Sequence, residues 1–161
     1  MTPAEYNICV DKHADCIYRF ILHNIKDEDD AKDVVQDTFE KCWKNHANVQ
    51  YEKAKSYLFT TAHHTMIDKI RRAKKMEPMD DDDYYNHSHE KQYTGLKEIL
   101  NEALSKLPEI QKSVILLRDY EGYSYEEIGE ITELNESQVK VYIYRARVFL
   151  KEYIGSMSNV I

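Results

Sequence analysis

The chain has 161 residues, 42% hydrophobic and 32% charged, with four Gly, three Pro and a formal net charge of −7. The length allows one domain or two small ones, and so few turn residues, with almost no strand-type alternation, exclude a β-rich architecture and predict an all-α protein. No apolar run reaches the roughly 18 residues of a membrane span, so membrane insertion is not expected. The N-terminal sequence MTPAEYNICVDKHAD has no basic stretch followed by an apolar block, so export is not expected either and the expected location is cytoplasmic.

The first predicted helix covers residues 3–25, where Ile17, Phe20, Ile21 and Ile25 form one stripe. It also carries Cys9 and Cys16, which with Cys42 make three cysteines. An odd, small number in a cytoplasmic chain is read as free thiols. The second helix starts near Asp27, with Glu28, Asp29 and Asp30 suited to the positive end of the helix dipole. Its apolar positions are read as Val35, Phe39, Cys42 and Trp43, which leaves Asp33, Gln36, Asp37 and Glu40 on the solvent side. The third helix covers residues 54–75, with Tyr57, Leu58, Ala62, Met66, Ile67 and Ile70 as its stripe. It ends in DKIRRAKK.

Residues 77–93 read EPMDDDDYYNHSHEKQY and lack apolar periodicity. With one basic and six acidic side chains they carry most of the net charge, and they are read as an acidic flexible linker. A solvated loop inside one domain would look similar. The linker divides the chain into residues 1–76, net +1, and residues 94–161, net −3. Neither half is basic enough to hold DNA strongly through phosphate neutralisation, so a DNA-binding role would require a larger partner.

Four helices are predicted after the linker. The stripe Leu96, Ile99, Leu100, Ala103, Leu104 and Leu107 makes the first. Pro108 fits the first turn of the next, which carries Val114, Ile115 and Leu117 and ends near Gly122. Ser124 and Glu127 have the spacing of a capping box for a short third helix. Asn135 and Gln138 have it for the last, which buries Val139, Ile143, Ala146 and Leu150. Gly129 lacks a side chain where these last two helices pack, and Leu134 plugs the turn. A short capped helix, a tight turn and a longer capped helix form a helix-turn-helix. The outward face of the last helix shows Ser137, Val141, Tyr144, Arg145 and Val148, flanked by Gln138 and Lys140. Ser137, Gln138 and Lys140 are placed for base edges and Val141 for a thymine methyl, whereas Tyr144 and Arg145 suit phosphates. An ordinary helical hairpin with a solvated polar face would show the same spacing.

The third helix carries Lys69, Arg71 and Arg72 and also Tyr57, Phe59 and the pair His63 and His64. Cations beside aromatic rings suit single-stranded DNA, although basic residues also favour any helix C-terminus. In the first helix Cys9, His13 and Cys16 share a face and could begin a zinc site with His23, His63 or His64. No fourth ligand is recognisable and no paired-cysteine motif is present, so neither a metal nor a cofactor is expected. There is also no phosphate-binding glycine loop or nucleophile elbow, so no enzymatic activity is expected.

DEDDAKDVVQDTFEKCWKN, SYLFTTAHHTMIDKIRRAKK, LPEIQKSVILLRDYEGYS and SYEEIGEITELNESQVKVYIYRARVFLKE together resemble, in order, the segments of extracytoplasmic-function sigma factors of bacterial RNA polymerase. The resemblance implies two small helical domains joined by the acidic linker. Residues 1–76 would be a region-two-like domain that binds core RNA polymerase and the minus-ten element and helps to melt it. Residues 94–161 would be a region-four-like helix-turn-helix domain for the minus-thirty-five element. Asp33, Gln36 and Asp37 would dock on the polymerase. His63, His64, Lys69, Arg71 and Arg72 would face minus-ten DNA, with a flipped base read near residues 48–55. Ser137, Gln138, Lys140, Val141, Tyr144 and Arg145 would face minus-thirty-five DNA. An anti-sigma factor is a further implied partner. The family often has Arg-Asn where His63 and His64 stand, and Arg where Tyr142 sits. The competing reading is a stand-alone helix-turn-helix regulator.

Overall fold

The computed structural model describes residues 1–76 and 95–160. The acidic linker expected over residues 77–93 lies outside them. Among the described residues there are seven α-helices and no strand: α1 (Pro3–Ile25), α2 (Glu28–Lys44), α3 (Ala54–Met76), α4 (Leu96–Ser105), α5 (Glu109–Ile115), α6 (Tyr125–Thr132) and α7 (Glu136–Val160). Helices α1–α3 make one bundle and α4–α7 a second, which contains the helix-turn-helix.

Local chemistry sets the helix boundaries. Thr2 and Glu5 close a capping box before α1, and the helix ends at Lys26, whose φ of 67° puts it in the left-handed region. The Asp27 side chain accepts from the Asp30 N–H at 2.9 Å and starts α2, filling one of the donors a helix start leaves open. Two short 3₁₀ turns, His46–Asn48 and Tyr51–Lys53, carry the chain into α3. Pro108 stands one residue earlier than the sequence pattern placed it. It precedes α5 with an extended ψ, and its carbonyl accepts from the Lys112 N–H at 2.9 Å. After α5 the coil widens into a π-helical turn, Leu116–Tyr120. The chain then leaves through Gly122, whose φ of +79° is unstrained only for glycine.

In α2 the buried stripe is Ala31, Val34, Thr38, Phe39 and Cys42. The expected stripe of Val35, Phe39, Cys42 and Trp43 is therefore rotated by part of a turn. Val35 is half-buried. Trp43 is 44% exposed and stacks on His46 at 4.4 Å between ring centroids, nearly parallel. Thr38 takes the interior place because its hydroxyl donates to the Val34 carbonyl at 2.7 Å and so needs no other partner.

The cores of the two bundles join into one apolar cluster. Phe20 of α1 meets Phe59 of α3 edge-on at 5.5 Å, and Phe59 meets Tyr123 at 5.3 Å. Tyr123 precedes α6, so this aromatic chain crosses from the first bundle to the second. Polar contacts cross beside it. Arg19 grips both carboxylate oxygens of Glu121, the shortest contact being 3.1 Å. Lys112 donates to the Asn24 carbonyl at 3.1 Å, and Ser113 donates to the Asn24 side-chain oxygen at 3.3 Å.

Candidate nucleic-acid interface

The helix-turn-helix assembles as its sequence grammar requires. Ser124 accepts from the Glu127 N–H at 3.1 Å, and the Glu127 carboxylate accepts from the Ser124 N–H at 2.9 Å. Asn135 and Gln138 repeat the exchange at the start of α7, at 2.8 and 3.0 Å. The turn between the helices passes so close to α6 that a Cβ on Gly129 would lie 2.7 Å from the Leu134 carbonyl oxygen. Glu133 makes the reversal in the left-handed region, φ 65°. Val139, Ile143 and Ala146 are buried and fix which face of α7 looks inward, while Leu150 is half-buried.

The opposite face is open. Ser137, Gln138, Lys140, Val141, Tyr144, Arg145 and Val148 are all exposed, Tyr144 by 68%. This row of Val, Tyr and Val beside cations keeps a substantial part of its surface uncovered, so that surface is open to a partner. The cations of α7 differ in how free they are. Lys140 lies 3.6 Å from Glu136, and Arg147 is held by Asp119 at 2.7 Å. Arg145 has the Tyr142 ring at 6.0 Å from its guanidinium carbon. Gln138 spends its side-chain oxygen on the helix start, which leaves its NH₂ group for other acceptors.

The α3 residues separate. Arg71 and Arg72 are exposed, and Lys69 is half-buried with its ammonium 3.7 Å from Asp30. His64 is exposed and lies 3.4 Å from Glu133 of the second bundle. His63 is inside: it is 5% exposed, and neither ring nitrogen has a hydrogen-bond partner. Burial, and to a smaller degree the neighbouring His64, pushes its imidazole down to about 4. His63 is therefore neutral and cannot reach DNA in this arrangement. On α2, Asp33, Gln36 and Asp37 are exposed together on one face. The loop before α3 is held by the Met1 ammonium, which donates to the carbonyls of His46 and Val49 at 2.8 and 2.6 Å.

The first-helix cysteines and histidine do not converge. Cys9 is buried with its thiol 3.8 Å from the Met1 sulfur, and Cys16 donates to the His13 carbonyl. Among the described residues no three His, Cys, Asp or Glu side chains are grouped to hold a metal ion. Nor is any described helix long and apolar enough to cross a membrane. The residues that sequence reasoning missed are those joining the bundles: Arg19, Asn24, Lys112, Ser113 and Glu121. For Lys112 and Ser113 one signal was present: they lead into the unbroken apolar run Val114–Leu117, as expected of a helix packed on all sides, and Lys112–Leu117 are indeed all buried.

A helical bundle with a basic helix, followed by a capped helix-turn-helix with an exposed outer face, defines a helical DNA-recognition protein of two units. Residues 9–76 match the family described as Sigma-70 region 2, and residues 97–150 match Sigma-70, region 4. RNA polymerase sigma factor SigV of Bacillus subtilis (strain 168) is 36% identical over 148 residues, covering 90% of this chain and 88% of that one. ECF RNA polymerase sigma factor SigM of the same organism is 29% identical over 143 residues, covering 84% and 86%. A solved structure of the sigma factor RpoE in complex with the anti-sigma factor NepR from Bartonella quintana shares the fold. Its TM-score is 0.77 at 24% identity, covering 93% of this chain and 96% of that one. The chain belongs to the sigma-70 family of RNA polymerase sigma factors, in its extracytoplasmic-function branch. Matches to both halves, in order, favour this over a stand-alone helix-turn-helix regulator.

Proposed function

We propose that this sigma factor divides its work between its two units and catalyses no reaction of its own. Residues 1–76 bind core RNA polymerase through Asp33, Gln36 and Asp37 of α2. They engage the minus-ten element through α3, with Lys69, Arg71 and Arg72 toward phosphates, His64 nearer the melted strand, and His63, buried here, reaching it only once the second bundle moves off α3. Residues 94–161 recognise the minus-thirty-five element, and residues 77–93 link the two. Ser137, Gln138 and Lys140 lie where the start of a recognition helix meets base edges. Val141 is suited to a thymine methyl, and Tyr144 and Arg145 to the backbone.

The observation that carries this reading is the exposed row on α7, backed by a fully buried inner row. Weak net charge on both halves fits a factor that holds DNA only together with polymerase. The protein works in the cytoplasm, where polymerase and promoters are, and an anti-sigma factor restrains it; RpoE of Bartonella quintana was solved with one. Run-off transcription with core polymerase tests the reading. Native promoter DNA should yield transcript, and a template with its upstream element scrambled should yield little. Equal transcription from both, or none with either, refutes it.

A further inference from the structure

Arg147 stands where a DNA-binding cation would stand, yet its charge is already engaged. It lies about two turns beyond Lys140, so the two share one side of α7. Its guanidinium donates to the Asp119 carboxylate at 2.7 Å, the length of a charge-assisted hydrogen bond. Lys140, by contrast, is 3.6 Å from Glu136, beyond a normal hydrogen bond, so its ammonium stays free for a partner. Asp119 comes from the π-helical turn Leu116–Tyr120, a local widening of the kind that often marks a functional place in a helix. The pair does little for stability, because its side chains are 50% and 44% exposed and ion pairs open to water contribute weakly. Asp119 also raises the Arg147 guanidinium above its ordinary range, chiefly through this hydrogen bond. The charge is therefore never lost, and Asp119 decides only where it is directed. The neighbourhood is rich in cations: Arg118 and Lys140 lie over the Tyr125 ring at 4.4 and 5.6 Å. A carboxylate beside such a flank lowers the positive field that a phosphate would meet.

We propose that Asp119 is a brake on DNA affinity: it holds the Arg147 guanidinium on the flank of α7 and spends its charge within the chain, so that α7 meets the DNA backbone with one cation fewer than its sequence offers. Asp119 is thus a positioning residue, acting through Arg147 rather than on DNA. This rests on the assignment of α7 to the minus-thirty-five element. The brake serves the same end as the weak net charge of both halves: a chain that cannot settle on DNA by phosphate neutralisation alone stays available to polymerase.

The test binds holoenzyme, assembled from the full chain and core RNA polymerase, to native promoter DNA over a salt series. Asp119→Asn keeps the shape of the side chain and removes its charge. It should bind more tightly at low salt, and its advantage over wild type should shrink about threefold between roughly 50 and 200 mM salt, as one added phosphate contact requires. Asp119→Glu, which keeps the carboxylate, should behave as wild type. Arg147→Ala alone should change binding little, where Arg145→Ala weakens it, and Asp119→Asn/Arg147→Ala should lose the gain. A gain that survives in the double variant is simple relief of repulsion by Asp119 and overturns the proposal. So does an Asp119→Asn salt profile that matches wild type, or an Arg147→Ala loss as large as that of Arg145→Ala. Thermal melts followed by circular dichroism check that each variant is folded, and Arg147→Ala decides the matter even if Asp119→Asn does not fold. A loss in Arg145→Ala keeps the α7 assignment standing whichever way Asp119 is decided; its absence removes that assignment and the proposal with it.

Discussion

Lys112 of α5 places its ammonium 3.1 Å from the carbonyl oxygen of Asn24, next to the last residue of α1, and both residues are buried. The end of a helix is its negative pole and leaves carbonyls unpaired, so a cation brought there from the other bundle meets a real need. Asn24 is otherwise engaged at both side-chain atoms: its NH₂ donates to the Phe20 carbonyl at 2.8 Å and its oxygen accepts from Ser113. Replacing Lys112 with Met should cost about 1–3 kcal/mol, the penalty of stranding a buried acceptor. Burial holds the Lys112 ammonium below its ordinary value of 10.5. The unfolded chain then binds more protons in the window just below 10.5, so stability rises with pH there. Urea titrations at neutral and alkaline pH should show the wild type gaining on Lys112→Met as pH rises.

His63 gives the protein a sensitivity to acid. Its folded value of about 4 lies well below the ordinary 6.5, chiefly because of burial. Between these values the unfolded chain holds a proton that the folded chain does not. The His63 contribution is therefore complete above 6.5 and is lost as pH falls toward 4, by about 3 kcal/mol in all. Replacing His63 with Phe should flatten this part of the stability profile, measured by denaturant unfolding at a series of pH values. An NMR titration of the His63 ring should show it neutral at pH 6.

Gly129→Ala should damage the helix-turn-helix specifically. The added methyl would meet the Leu134 backbone carbonyl at 2.7 Å, which cannot swing aside as a side chain could. A cost of about 1–3 kcal/mol is expected from forced backbone movement. It should appear as earlier melting of α6 and α7 amides in hydrogen exchange, with α2 amides little changed.

On α7 two substitutions should separate two kinds of contact. Arg145→Ala should weaken promoter binding by the holoenzyme across sequences and reduce the salt dependence by about one phosphate contact. Gln138→Ala should relax base preference at one position of the upstream element, by about 1–3 kcal/mol of discrimination. Because Gln138 also accepts from the Asn135 N–H, it should cost in addition about 0.5–1 kcal/mol of domain stability. Filter binding over a salt series and a promoter-variant library measure these effects, and melting of the isolated variants measures the last.

The sequence disclosed what depends on neighbours along the chain. The caps at Ser124 and Asn135, the inner row Val139, Ile143 and Ala146, and the exposed row on α7 all follow from spacings within a few residues. The stripe of α2 is displaced because spacing alone groups Trp43 with Val35, Phe39 and Cys42 on one face. Its ring instead lies on the surface against His46 and Tyr6, while Thr38 could go inside by bonding its own helix. The burial of His63 was invisible for a different reason: it depends on Phe20 of α1 and on the second bundle closing over α3. Likewise Arg19 and Glu121 are separated by 102 positions, and no local pattern marks two charged residues as partners at that distance.

The division of labour is tested most directly by a photo-crosslinking side chain introduced in place of Tyr144, in full-length protein assembled with core RNA polymerase on promoter DNA. Crosslinks confined to the upstream element, and seen only when core polymerase is present, are the predicted result. Crosslinks to the minus-ten region, or equal crosslinking without polymerase, would contradict it.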